Sequence, residues 1–147
     1  MRIEKRRVEG QPLTVIIEYP EWNETVDSLV RKIGRMDISF VGKTEGRSVS
    51  ISISDIYYVE NVERKLFIYT EGDVYRFDGS MSDIESRIED TALVRISRTC
   101  IMNSDHLKEI RQIRNSHLEA VMDNDEKLIV SRKYLPDIKK IFKNEGL

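Results

Sequence analysis

Three short basic stretches are the parts of this chain best suited to chemistry: Arg64-Lys65, Ser97-Arg98-Thr99 and Arg132-Lys133. Each falls at the end of a structural element rather than inside one. The planar fork of arginine can pair with two acceptors on a guanine edge, whereas lysine favours phosphate as a point charge. The hydroxyls of Ser97 and Thr99 add donors for phosphate and sugar. Together they make a phosphate-contacting, base-reading surface, provided that three separate loops converge on one side. Spacing alone does not show that convergence. The plainer alternatives are a surface ion pair from Arg98 to Asp90 or Glu89, a solubilising hairpin tip at Arg64 and Lys65, and a polar helix start at Arg132 and Lys133 capped by Ser131.

Other reactive residue types are sparse. His106 and His117 lie eleven residues apart with no cysteine partner, so no zinc pattern exists. The single cysteine, Cys100, sits among apolar neighbours and reads as a buried hydrophobe rather than a nucleophile. One cysteine allows no internal disulfide and fits a reducing compartment. Gly42-Lys43-Thr44 has the end of a phosphate-loop motif, but Asp37 stands where the first glycine is needed and a strand pattern follows in place of a helix. Asp123 to Glu126 is too short for a calcium loop and lacks its glycine. No candidate for enzyme chemistry, a cofactor or a metal emerges. The net charge is −2 over 147 residues, yet it is unevenly spread. Residues 55–90 hold ten acids and four bases, and residues 91–147 hold eight acids and eleven bases. No apolar run approaches a membrane span, and the charged N-terminus lacks the apolar core of a secretory signal.

The basic stretches are carried by a chain that reads mostly as short strands. Leu13 to Tyr19 is rich in β-branched residues and predicts a strand ended by Pro20. Residues 21–35 predict a helix, with Glu21, Glu24 and Asp27 in its first half and Arg31, Lys32 and Arg35 at its end, as the helix dipole favours. Trp22, Val26, Leu29, Val30 and Ile33 form an apolar stripe, and Trp22 reads as core or interface packing. Gly34 stops this helix, residues 37–41 predict another strand, and Gly42 to Gly46 a turn. From Arg47 to Ile53, Val49, Ile51 and Ile53 alternate with three serines, the pattern of a half-buried strand. Ile56–Val59, Leu66–Thr70 and Val74–Phe77 continue as a local antiparallel meander. They are joined by the polar Asn61–Lys65 connection and by Glu71-Gly72-Asp73, where glycine would supply a conformation other residues resist. Ser82 to Glu85 predicts a capping box opening a short helix to about Ile88.

Val94 to Asn103 carries the middle basic stretch. Val94 and Ile96 share one face of a strand, Arg95 and Ser97 the other. The alternation then fails at Arg98 and resumes out of phase at Cys100, Ile101 and Met102. A one-residue slip moves every later side chain to the opposite face. The expectation is a strand ending in a short loop, with Ser97, Arg98 and Thr99 in solvent. Leu107–Ile113 and Leu118–Met122 predict a hairpin around Asn115-Ser116-His117, Asp123–Glu126 a second turn, and Leu128–Val130 the last strand. Ser131 to Pro136 leads into a helix through about Phe142. Leu135, Ile138, Ile141 and Phe142 would face inward, with Lys139, Lys140 and Lys143 outside.

From about Gly46 to Phe142 the chain resembles the LytTR-type DNA-binding domain of bacterial transcription regulators. Asp55 to Glu60 is similar to that family's first sheet strand, and Leu66 to Thr70 to its partner. Leu93 to Asn103 is similar to its most characteristic segment, commonly an Arg-x-His-Arg-Ser run ending in Val-Asn. Val130 to Tyr134 is similar to its closing Ser-Arg-x-Tyr. The resemblance implies a mainly β fold, α+β overall: an array of small antiparallel sheets with short helices over residues 44–147. Residues 1–43 would then be a small N-terminal strand–helix–strand appendage. The family inserts loops, rather than a recognition helix, into successive major grooves and binds direct repeats in promoters. Carried over by position, Arg64 or Lys65, Arg98 and Arg132 would read bases, while Ser97, Thr99 and Lys133 would contact phosphate or sugar. Ser97 stands where histidine is usual, so any contact made by that imidazole is absent or replaced.

The family's usual receiver domain is missing from this sequence, so control by phosphorylation is not expected. The appendage would instead form a homodimer or meet a regulatory protein partner, which in some short members is membrane-bound. The expectation is a cytoplasmic, sequence-specific regulator bound to double-stranded DNA, with no catalysis, cofactor or small-molecule substrate. The alternative is a protein-interaction module with vestigial DNA affinity, in which the appendage, Trp22 and the acidic region 55–90 matter most.

Overall fold

The computed structural model describes residues 1–34, 36, 38–113 and 117–144, with the backbone only for 141–144. The expected turn residues Asn115 and Ser116, and the inward or outward aim of Ile141, Phe142 and Lys143, lie outside the described residues and side chains. Period-two patterning becomes ten described strands in two antiparallel sheets. The first hairpin joins β1 (Ser39–Thr44) to β2 (Arg47–Ser52). Its turn is only Glu45-Gly46, at φ 45° and 73°. Gly42 therefore belongs to the strand, where a Cβ would lie 2.5 Å from Ile51 Cδ1 and 2.6 Å from Tyr75 Cβ. Close packing, rather than phosphate binding, accounts for this glycine.

β3 (Tyr58–Val62), β4 (Lys65–Tyr69) and β5 (Val74–Phe77) form the expected meander. Gly72 is not among the residues at positive φ, so its turn closes without a left-handed glycine, through Thr70 N to Asp73 O at 3.0 Å. α2 (Met81–Glu85) starts two residues earlier than the expected box. Ser80 is its cap: the hydroxyl accepts from Asp83 N at 3.1 Å, and Asp83 Oδ2 accepts from Ser80 N at 2.7 Å. The bond accepted from the Ser80 backbone N–H, and next the Ser80 side chain, hold the Asp83 carboxyl below its ordinary pKa. A serine two positions earlier in Ser80-x-Ser82 satisfies the same pattern, which is why spacing chose the wrong one.

β6 (Leu93–Ser97) and β7 (Cys100–Asn103) complete the larger sheet, in the order β2-β1-β5-β4-β3-β7-β6. The meander is thus not purely local, because β1 pairs with β5 and β3 with β7. β8 (Leu107–Gln112), β9 (Leu118–Met122) and β10 (Lys127–Val130) form the smaller sheet. A single 3-10 turn, Arg132–Tyr134, leads into α3 (Leu135–Asn144).

The larger sheet is covered on both faces. On one, Met81 and Ile84 of α2 and the following Ile88 pack on Phe40, Ile51, Val59, Leu66, Ile68, Leu93 and Ile101. On the other, Tyr58, Ile96, Cys100 and Met102 pack on Ala120, Met122 and Val130 of the smaller sheet and Ile138 of α3. β7 contributes Ile101 to one core and Cys100 and Met102 to the other. A strand buried on both faces has no reason to alternate, which explains the unbroken apolar run. Asn103 ends it, fully buried, with its side chain bonded to the Ile53 and Ile56 carbonyls and the Asp105 amide.

The N-terminal region departs from expectation. Leu13 to Tyr19 forms no strand, and all but Ile17 are exposed. β-propensity acts only where a ladder and a packed face exist, and this segment has neither. α1 (Glu24–Gly34) begins later than residue 21, because Asn23 caps it: Oδ1 accepts from Val26 N at 3.0 Å. Trp22 consequently lies outside the helix, 55 % exposed and edge-on to Tyr19. The strand expected at 37–41 is β1, hydrogen-bonded into the larger sheet.

Candidate nucleic-acid interface

The three basic stretches sit at turns, and strand direction decides where those turns go. β3 and β6 are both antiparallel to β7, so both run toward the same end of the sheet. At that end β3 turns into β4 through Glu63-Arg64, and β6 turns into β7 through Arg98-Thr99. A backbone bond from Asn61 N to Thr99 O at 2.8 Å ties the two turns together. The third stretch arrives from the other sheet: Ser131 N donates to Ile96 O at 2.8 Å, which sets Arg132-Lys133 beside the end of β6. Burial of Val130, Ile96 and Ile138 in one core holds that junction.

Arg64, Lys65, Arg98, Thr99, Arg132 and Lys133 are all exposed. Glu63 and Arg64 adopt φ of 52° and 68°, the left-handed pair of a two-residue hairpin turn. That conformation costs an ordinary side chain about 1 kcal/mol or more. Lys65 is the first residue of β4 and pairs with Val62 across the ladder. Lys133 Nζ lies 5.5 Å from the centre of the Tyr134 ring. Among the described residues Arg98 forms no ion pair; Asp90, its alternative partner, lies 3.5 Å from Arg31. Ser131 does not cap the following turn through its side chain.

The expected register break at Arg98 is a β-bulge two residues earlier, at Ile96. Arg95 faces Ile101 and Ser97 faces Cys100, so the shift falls between Arg95 and Ser97. Ser97 is half-buried rather than projecting, and its hydroxyl accepts from Thr99 N at 3.2 Å. One lone pair of Ser97 is thus occupied in closing the turn. Arg95, overlooked in the sequence, lies along the inside of this turn. Its Nε donates to Ser97 O at 2.8 Å, its Nη2 to Arg98 O, and its Nη1 to Glu85 Oε1 at 2.6 Å. The sequence signals were its place as the first arginine of the Arg-x-His-Arg-Ser-like run and its position on the same strand face as Ser97. Glu85, expected to close a capping box, holds Arg95 instead.

The opposite end of the sheet has the opposite sign. The β4–β5 turn, with Glu71 and Asp73, joins Asp55, Tyr57 and His106 around an open cleft of about 350 Å³. His106 stacks on Tyr57 with ring centres 4.2 Å apart, and its Nε2 lies 2.7 Å from Ser54 O. Among the described residues no group of three or more histidines, cysteines or acids could hold a metal ion. Cys100 is buried, and loss of hydration pushes its thiol up to about 12. The Tyr58 and Tyr69 rings stack at 4.2 Å in the sheet junction. Burial first, then a hydrogen bond to Glu126, raises the Tyr58 pKa. No described helix is long and apolar enough to cross a membrane.

Three comparisons bear on this geometry. The sequence model of one family, the LytTr DNA-binding domain, matches residues 46–143. The chain is 28 % identical over 133 residues to the sensory transduction protein LytT of Enterococcus faecalis, covering 89 % of this chain and 55 % of that protein. It is 30 % identical over 95 residues to LytT of Bacillus cereus, covering 65 % and 39 %. It is also 31 % identical over 72 residues to the transcriptional regulatory protein LytR of Staphylococcus aureus, covering 49 % and 29 %. The chain thus spans about half the length, or less, of these curated relatives. Among solved structures, the LytTr DNA-binding domain of a Bacillus cereus methyl-accepting/DNA response regulator shares the fold, with a TM-score of 0.66 and 24 % identity over 74 % of this chain and 97 % of that one.

Proposed function

The chain belongs to the LytTr DNA-binding domain family, and on that footing we propose that it is a transcription regulator that reads duplex DNA with three basic turns. Arg98, Arg132 and Arg64 or Lys65 pair with base edges in successive major grooves of a promoter direct repeat. Thr99 and Lys133 contact phosphate or sugar, and Ser97, whose hydroxyl already serves the turn, contributes a lesser contact. The observation that supports this reading is the pair of backbone bonds, Asn61 to Thr99 and Ser131 to Ile96, which gather the three turns on one edge. The acidic opposite end repels DNA, so the field of the molecule favours one docking orientation. Within residues 1–43, the segment ahead of β1 serves assembly, with a second copy or a regulatory protein.

Selection of bound duplexes from a random library tests this directly. One enriched motif, bound with a steep loss of affinity as salt rises, is the expected result. A second reading, a protein-interaction module with vestigial DNA affinity, draws on the exposed Trp22, Leu13 and Ile16 of the N-terminal segment. It predicts no enriched motif and tight binding to a protein partner.

A further inference from the structure

Arg95 is the one arginine of the β6–β7 hairpin that points back into it. Its side chain is 22 % exposed, against 41 % for Glu85, so the guanidinium is the more enclosed member of the pair. Three of its donors are directed at three different acceptors: the Ser97 carbonyl, the Arg98 carbonyl and the Glu85 carboxylate. The first two acceptors are the carbonyls of the peptide groups that enter and leave Arg98, one on each side of its Cα. The third belongs to the last residue of α2, a helix whose Ile84 is fully buried in the core.

This arrangement answers a mechanical problem. The Arg98-Thr99 turn has two residues, is exposed, and follows a bulge, which by itself disrupts the ladder. Base reading requires a guanidinium held to within about 0.5 Å of its productive geometry. Among the described residues the Arg98 side chain forms no hydrogen bond or ion pair that could hold it. The fork of Arg95 fixes the two carbonyls that determine the direction of the Arg98 Cα–Cβ bond, and Glu85 fixes the fork. Lysine could not do the same, since one ammonium cannot serve three separated acceptors with the planar geometry of a guanidinium.

We propose that Arg95 is a positioning residue for DNA recognition: braced by Glu85, it clamps the Ser97 and Arg98 carbonyls and so aims the Arg98 side chain. The proposal rests on the reading of Arg98 as a base contact. The clamp transmits the rigidity of α2 to the turn without touching DNA.

The test is a double-mutant cycle on the full chain, read as discrimination between the library-selected duplex and the same duplex changed at single base pairs. Arg98→Ala should lose discrimination at one base pair by about tenfold or more. Arg95→Met should lose it at that same base pair by a comparable factor. Its affinity for random duplex should fall only about two- to threefold, the share of one screened charge. Arg95→Lys, which keeps the charge, should not restore discrimination. The Arg95→Met/Arg98→Ala double variant should discriminate no worse than Arg98→Ala alone, because both changes remove one contact. Glu85→Gln should act in the same direction, more weakly, and it leaves the arginine in place should Arg95→Met fail to fold. Additive losses, a loss spread evenly over all base pairs, or full discrimination in both Arg95→Lys and Glu85→Gln would overturn the clamp while leaving base reading by Arg98 intact. Unchanged discrimination in Arg98→Ala would overturn both.

Discussion

Asn103→Asp is the substitution whose outcome the structure determines most sharply. Asn103 anchors the foot of the β6–β7 hairpin. Its Nδ2 donates to Ile56 O at 2.8 Å and Ile53 O at 3.2 Å, and its Oδ1 accepts from Asp105 N at 2.9 Å. Aspartate fits the same volume, so no cavity forms. It can keep the Asp105 bond, but as a carboxylate it turns an acceptor toward two carbonyls in a fully buried site. Ionisation there is strongly disfavoured, and the aspartate takes up a proton, with its folded pKa raised by about 3 units or more. The sign follows from linkage. A group with a raised folded pKa favours folding below its unfolded pKa, and that contribution is lost as pH rises toward the folded value. Near pH 4 the acid O–H replaces one of two N–H donors, so the variant should be about 1 kcal/mol less stable than wild type. Each further unit of pH adds about 1.4 kcal/mol, reaching roughly 5 kcal/mol near neutrality. Urea unfolding of both proteins at several pH values measures the gap. A gap that stays constant across the range, or stays under about 1 kcal/mol near neutrality, would refute the reasoning. Discrimination by the folded fraction should be unchanged, since Asn103 lies at the far end of the hairpin from Arg98.

Other perturbations separate reading, steering and packing. Lys133→Ala should weaken binding to all duplexes alike and flatten the salt dependence by about one unit of slope, seen in binding titrations at several salt concentrations. Arg64→Gly relieves a left-handed arginine at φ 68° and should raise stability in urea by up to about 1 kcal/mol while DNA affinity falls. Gly42→Ala forces a methyl to within 2.5 Å of Ile51 Cδ1; urea unfolding should show a loss of about 1–3 kcal/mol with no change in DNA discrimination in the folded protein. The Cys100 thiol, with its pKa pushed up to about 12, should resist thiol reagents near pH 8 until the chain is unfolded. By the same linkage the buried neutral thiol favours folding below about pH 9, and that contribution declines as pH rises toward about 12. Alkaline unfolding of Cys100→Ala alongside wild type measures it.

Much of the fold was legible in order of appearance. The alternation of Val49 and Ile51 with serines, the β4 and β9 runs, and the turn at Asp123 to Glu126 carry local information, because side-chain direction repeats every two residues. The resemblance over Gly46 to Phe142 rested on four short motifs, and the family match over 46–143 agrees with it. The errors arose where a local rule had two solutions or no partner. Ser80 and Ser82 both precede an acid by three residues, and only the packing of Met81 and Ile84 selects Ser80. Leu13 to Tyr19 has the composition of a strand, but no edge of either sheet receives it.

By itself the sequence determined which residues could bind a polyanion and that each lies at a turn. It also determined that Cys100, Ile101 and Met102 break alternation, but not why. The tertiary structure decided that they fill two cores on opposite faces of β7. It decided too that three turns, up to 68 residues apart between Arg64 and Arg132, share one edge. Propensity and periodicity describe a residue against its own neighbours in the chain. Convergence depends on the relative direction of β3 and β6 and on single bonds such as Ser131 to Ile96, which exist only once both cores are packed. The same reason hid Arg95: its role lies in three acceptors supplied by the bulge, the turn and α2, and none is defined before the chain has folded.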